Sequence, residues 1–169
     1  MADEEAAVLA ASTLIKYKKK NILALFGNPG LSITKKRKEA FTRTLDKESN
    51  NIQYELRYCK NTEEAKQAVS EVLSRTVIPD HIFCMSDELL IGAMKALKKT
   101  RFSIPDDISV LAISNGFIPG LFNPDITYIE TSGYKLGKLA IGRMLQNLKG
   151  KTAPKSILLP SRFVEGGSL

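Results

Sequence analysis

Long apolar runs are missing from this chain: no stretch of its 169 residues approaches the length that crosses a bilayer. Its start, MADEEAAVLAAS, is acidic and lacks the basic opening of a secretory signal, so a cytoplasmic, membrane-free protein is expected. Histidine occurs once, at His81, and cysteine twice, at Cys59 and Cys84. The two cysteines lack metal-ligand spacing, and each lies in or ends an apolar run. Free, buried, reduced thiols are expected rather than a disulfide or a metal site. His81 opens a predicted strand, away from that strand's polar end, and reads as a satisfied structural or an exposed residue rather than a catalytic one. There is no Gly-x-Ser-x-Gly elbow, no phosphate-cradling glycine loop and no cluster of metal ligands. No catalytic residue, metal or cofactor is therefore expected. Low-complexity linkers and internal repeats are also missing, and 169 residues suffice for one core, with or without an appendage.

A hydrophobic content of 43% and a charged content of 25% are ordinary for a globular domain, but the net charge is +7. The cations cluster at Lys16 to Lys20, Lys35 to Lys38 and Lys98 to Arg101. The first and third clusters end predicted helices, where cations complement the helix dipole. No aromatics interleave with them, and no helix-turn-helix, zinc-finger or RNA-recognition pattern is present. Direct nucleic-acid contact by this chain is not expected.

What is there is an alternation of strand and helix patterns. The most informative stretch runs from Ile82 to Asn115. An apolar run stops at Ser86-Asp87, a helical pattern follows to Lys98-Lys99, and a second run, Ile108 to Ile113, stops at Ser114-Asn115. Continuous apolar runs joined by a helix describe a β-α-β unit with parallel strands buried on both faces. The same reading gives a helix over Glu4 to Tyr17 after a possible Asp3 cap and a strand over Asn21 to Phe26. A basic helix over Ser32 to Lys47 should bury Ala40, Phe41, Thr44 and Leu45. An alternating strand follows over Gln53 to Tyr58, with Tyr54, Leu56 and Tyr58 on one face. Asn61 and Glu64 open the next helix as a capping box. That helix offers Ala65, Ala68, Val69, Val72 and Leu73 to the core. A Gly- and Pro-rich loop leads to a strand at Ile126 to Glu130. A helix capped by Thr131 or Ser132 runs to Lys149, and Ser156 to Val164 is a last extended segment. The fold class is α/β: a doubly wound, mostly parallel sheet with helices on both faces and right-handed crossovers. A flavodoxin-like order sets the first and third strands side by side. Gly27 to Thr34, Ser86-Asp87 and Ser114 to Gly116 should then line one crevice beyond the strand ends.

These residues resemble the effector-binding domain of the lactose/galactose-repressor family of transcription regulators. Phe83-Cys84-Met85-Ser86-Asp87 through Gly92-Ala93 is similar to that family's F-x-x-S/N-D-x-x-A-x-G-A block. Ile104-Pro105-Asp106-Asp107-Ile108-Ser109-Val110 resembles its V-P-x-D-V-S-V turn. Leu159-Pro160 to Gly166-Gly167-Ser168 resembles its closing L-P-x-x-L-V-x-R-G-S, with Gly166 in place of the arginine, a departure attributed to drift in the tail. Pro124 to Thr127 and Leu136 to Ala140 match two further blocks. The resemblance spans nearly the whole chain. It implies a periplasmic-binding-protein-like type I fold with two lobes and a ligand between them. Residues 1–125 and 151–169 would form the C-terminal lobe, and 126–150 a strand and helix of the other lobe. The apolar face of that helix would then lack its usual partner and pack on another copy or be displaced.

The resemblance also implies site residues. Arg37 takes the place of the family's ligand-binding arginine, whose planar fork suits paired hydroxyls or a carboxylate. Ser32 and Thr34 stand where small polar contacts fall, and Asp87 either caps its helix, binds ligand, or does both. Ser114, with Asn115 beyond it, stands where an aspartate is common, which argues against an ordinary hexose held in the usual way. Lys60 replaces an aromatic that stacks on ligand in some members and would favour an anionic effector. The expected partners are a small-molecule effector (sugar, sugar acid or sugar phosphate), a second copy in a homodimer, and operator DNA reached only through a headpiece outside this sequence. A periplasmic-type solute-binding protein and a flavodoxin-like domain with another ligand or an enzymatic role are the rival readings.

Overall fold

A computed structural model of the chain describes residues 3–48, 52–150 and 157–169. The apolar runs become strands β1 (Asn21–Phe26), β3 (His81–Cys84) and β4 (Ser109–Ser114), and the alternating segment becomes β2 (Gln53–Tyr58). With β5 (Thr127–Glu130) and β6 (Arg162–Val164) they form one six-stranded sheet in the order β2-β1-β3-β4-β5-β6. All neighbours are parallel except β6, which runs antiparallel to β5. The first and third strands are adjacent, as the flavodoxin-like order requires.

Helices α1 (Asp3–Lys16) and α2 (Ser32–Glu48) pack on each other, as do α3 (Thr62–Leu73) and α4 (Asp87–Leu97). Right-handed crossovers put the two pairs on opposite faces. The central strands β3 and β4 are therefore buried at every position, as continuous apolar runs require. Edge strand β2 is half-buried, with Tyr58 46% exposed, so the face predicted from Tyr54, Leu56 and Tyr58 is only partly covered. On α2 the buried stripe is Thr34, Arg37, Ala40, Phe41 and Leu45. Thr44, expected in the core, is half-buried and turns its hydroxyl to the Ala40 carbonyl at 2.8 Å. Phe26, Phe41 and Phe83 form the centre of the core, with Phe41 and Phe83 stacked at 4.4 Å between centroids. Helices α3 and α4 approach so closely at Gly92 that a Cβ there would lie 2.4 Å from the Thr62 carbonyl oxygen.

Two expectations change. The strand assigned to a second lobe pairs instead with β4, from Leu111↔Thr127 to Ser114↔Glu130, because Ile126, Thr127 and Ile129 bury against this sheet's own core. Helix α5 (Gly133–Leu148), capped by Ser132, does stand off this core: none of its residues is buried. The last extended segment is a strand only over Arg162–Val164, and residues 151–156 lie outside the described part.

The amino edge of the sheet is closed by specific hydrogen bonds. Asp80 accepts from the Lys20 and Asn21 amides, at 3.0 and 3.1 Å. Ser109 donates to the Asp80 carbonyl, so the 2.8 Å contact between His81 Nδ1 and Ser109 Oγ has the imidazole as donor. His81 is fully buried, and burial holds its pKa well below the ordinary value of 6.5. Of the two expectations, satisfied or exposed, it meets neither in full, because its buried Nε2 has no hydrogen-bond partner. The tail then plugs the gap where β4 and β5 begin to diverge. Ser168 Oγ donates to the Val110 carbonyl at 2.6 Å and accepts from the Thr127 amide at 2.8 Å. Gly166 belongs to the same plug: its amide donates to Thr127 Oγ1, and a Cβ would lie 2.4 Å from the Asp125 carbonyl. Its glycine answers this close approach, not drift.

Candidate ligand-binding site

Parallel register aligns the strand ends. Leu25 pairs with Cys84 and Cys84 with Ala112, so Phe26, Met85 and Ile113 end on one rim. Helices α2, α3 and α4 all start from this rim, and their first-turn amides point towards it. Such an edge is suited to polar or anionic ligand groups.

Arg37 lies at the rim but is almost wholly buried. Its Nη1 donates to the Met85 carbonyl at 2.7 Å, and its Nε and Nη2 donate to Asp3 Oδ1 at 3.2 and 2.9 Å. Burial lowers its pKa while the Asp3 carboxylate works against that shift. Asp3 opens α1, and its carboxylate neutralises Arg37. The guanidinium therefore joins α1, α2 and the end of β3, with its fork committed to protein partners in this arrangement.

Thr34 sits one turn earlier, 1% exposed, with its Oγ1 3.4 Å from the place a Cβ on Gly27 would occupy. That hydroxyl has no hydrogen-bond partner. Asp87 begins α4 beside the capping Ser86. Its Oδ2 accepts from the Asn115 amide at 3.3 Å, while its Oδ1 is buried and unpaired. Ser114 is buried and accepts from the Gly116 amide at 2.9 Å; Asn115 is exposed and accepts from the Phe117 amide at 3.1 Å. Gly116 has φ +100, and a side chain there would press on the Tyr128 hydroxyl at 3.0 Å. Ser32 and Lys60 are exposed. The Lys60 amide is held by Glu64 at 2.7 Å, in the capping box read from sequence.

The structure thus draws Thr34 and Arg37 together around Met85, and Asp87, Ser114 and Asn115 around the end of β4. Ser32 and Lys60 border the same rim without touching either group. Sequence reasoning missed three participants. Met85 receives the Arg37 guanidinium and, through its sulfur, the Gly27 amide at 3.0 Å. Asp3 neutralises Arg37, and Glu130 ends β5 level with Ser114. Glu130 is bridged by Lys135 and Arg162, chiefly Lys135, which hold its pKa below the usual carboxylate value. A carboxylate at the end of a fifth strand was the one available signal for it.

The sequence profile of the periplasmic binding protein-like domain matches residues 11–169. The chain belongs to that family. Among relatives of this periplasmic-binding-protein-like chain, the HTH-type transcriptional repressor PurR of Actinobacillus pleuropneumoniae is 27% identical over 86% of the chain and 44% of its own length. The PurR of Vibrio vulnificus is 29% identical over 91% of the chain and 47% of its own length. The chain spans less than half the length of these transcriptional repressors. The dimeric Lac repressor with a C-terminal deletion superposes over 99% of the chain and 62% of its own, with a TM-score of 0.90 at 20% identity. The fold class and the resemblance read from the motifs both hold.

Proposed function

We propose that the chain is the effector-sensing part of a transcription regulator of the lactose/galactose-repressor type. It would be cytoplasmic and non-enzymatic, taking a sugar or sugar derivative at the carboxyl rim. The observation that carries this reading is the rim's unpaired polar set, with Thr34 Oγ1 and Asp87 Oδ1 both buried and without partners. Buried polar atoms are ordinarily satisfied, and a ligand hydroxyl would satisfy them. The repressor relatives supply the regulatory half of the reading. Helix α5 would pack on a second lobe outside this chain, since Tyr134, Ile141, Met144, Leu145 and Leu148 are all exposed along it. Ligand closing that lobe onto the rim would favour one lobe arrangement and so change how DNA-binding heads are presented.

A homodimer fits the apolar groove of roughly 770 Å³ lined by Ile91, Met94, Phe102, Leu121 and Phe122. Leu121→Glu should then shift the sedimentation coefficient towards a monomer. The sensing role is tested by thermal-shift screening of the complete gene product against sugars, sugar acids and sugar phosphates. Asp87→Asn should weaken the ligand found there about tenfold, the worth of one charge-assisted hydrogen bond. Unchanged affinity in both Asp87→Asn and Ser114→Ala would remove the site from this rim.

A further inference from the structure

The N-termini of the rim helices are not alike. Helices α3, α4 and α5 are capped by the side chains of Asn61, Ser86 and Ser132. The residue before α2 is Leu31, whose carbonyl accepts the Lys35 amide but whose side chain has no oxygen to cap with. The first turn of α2 holds no acid and ends at Lys35, and Lys36, Arg37 and Lys38 follow in the next turn. Cations are unfavourable at a helix N-terminus. Arg37 is neutralised by Asp3, but Lys35, Lys36, Lys38 and Lys60 make no ion pair among the described residues. The first turn also holds the Thr34 hydroxyl, 1% exposed and without a partner. Lys60 follows β2, which is level with β1 at Phe26↔Tyr58, and the Cys59 amide still bonds the Phe26 carbonyl at 2.8 Å. It therefore flanks the turn that leads into α2.

We propose that the start of α2, with the Thr34 hydroxyl and the Lys60 ammonium, receives a phosphate group carried by the effector. Uncapped amides, an unsatisfied hydroxyl and unneutralised lysines are the complement of a phosphate's charge and acceptor oxygens. The first turn of α4 carries Asp87 and Glu88, which repel an anion there and leave that side for ligand hydroxyls. The ligand is then a phosphorylated polyol or sugar spanning the two groups, and this assignment rests on the sensing role proposed above.

The test follows backbone amide shifts of the chain during titration with inorganic phosphate at constant ionic strength. Saturable shifts at Leu31 to Thr34 and Lys60 are expected, and Lys60→Gln should raise the phosphate Kd about threefold or more. Thr34→Val should also raise that Kd, yet increase Tm, because it deletes a buried hydroxyl that the fold does not satisfy. A purely structural Thr34 would give the opposite pattern, a lower Tm and unchanged phosphate affinity, and would overturn the proposal. Glucose 6-phosphate should move the α2 amides together with Asn115 and Gly116. Unsaturable phosphate shifts spread over all surface lysines would also overturn it. Rim shifts produced by glucose or glucuronate but not by phosphate would overturn the phosphate assignment and leave the sensing role standing.

Discussion

The two edges of this sheet are built from similar residue types and treated in opposite ways. At the amino edge Asp80, Ser109, Thr127 and Ser168 have their hydrogen bonds made within the chain. His81 Nε2 beside them has no partner, whereas at the carboxyl edge Thr34 and Asp87 each keep a buried oxygen unpaired. An unsatisfied buried polar group costs about 1–3 kcal/mol. The amino edge thus makes most of its hydrogen bonds within the chain, while the carboxyl edge gives up stability in two oxygens that a ligand could satisfy.

If this contrast is right, substitutions at the amino edge should be the most damaging. Gly166→Ala forces a Cβ against the Asp125 carbonyl at 2.4 Å and should cost about 3 kcal/mol in urea unfolding. Ser168→Ala strands the buried Thr127 amide and should cost about 2 kcal/mol by the same measurement. A loss below about 0.5 kcal/mol in both would erase the difference between the edges.

The dependence on pH sharpens the same point. His81 stays neutral in the folded chain below the pH at which it would protonate when unfolded, so the unfolded state binds the extra proton. Its contribution is fully present above about pH 6.5 and is lost as pH falls below that value, by at most about 1.4 kcal/mol per unit. Chemical denaturation from pH 7.5 to 5 should show this slope, and a His81→Gln chain should lack it. The smallest expected effect has the opposite sign: Thr34→Val at the carboxyl edge should gain up to about 1 kcal/mol.

The first four strands could be read in advance because each is a local signal, and the flavodoxin-like order set β1 beside β3. Strand β5, expected in another lobe, pairs instead with β4. Ile82 to Met85 and Ile108 to Ile113 need no knowledge of their neighbours to read as buried strands. The rim followed from topology once the polar stops at Ser86 and Ser114 were placed. What escaped depends on residues distant in sequence. The Arg37–Asp3 pair joins residues 34 apart, and the Ser168–Val110 bond residues 58 apart. Neither leaves a periodic trace. The pairing of β6 to β5 was hidden for the same reason, and the single arginine fork read as a ligand contact turned out to be committed to the protein.

The Ser168 plug has a consequence for how the chain is made. Its partners Val110 and Thr127 are synthesised well before it, and the strands they belong to must wait beside each other with their starting ends unsealed. Until Ser168 has left the ribosome and docked between them, that seam stays open to water. A nascent chain stalled before Ser168 emerges should be cut by protease between β4 and β5, and one stalled after it has emerged should resist.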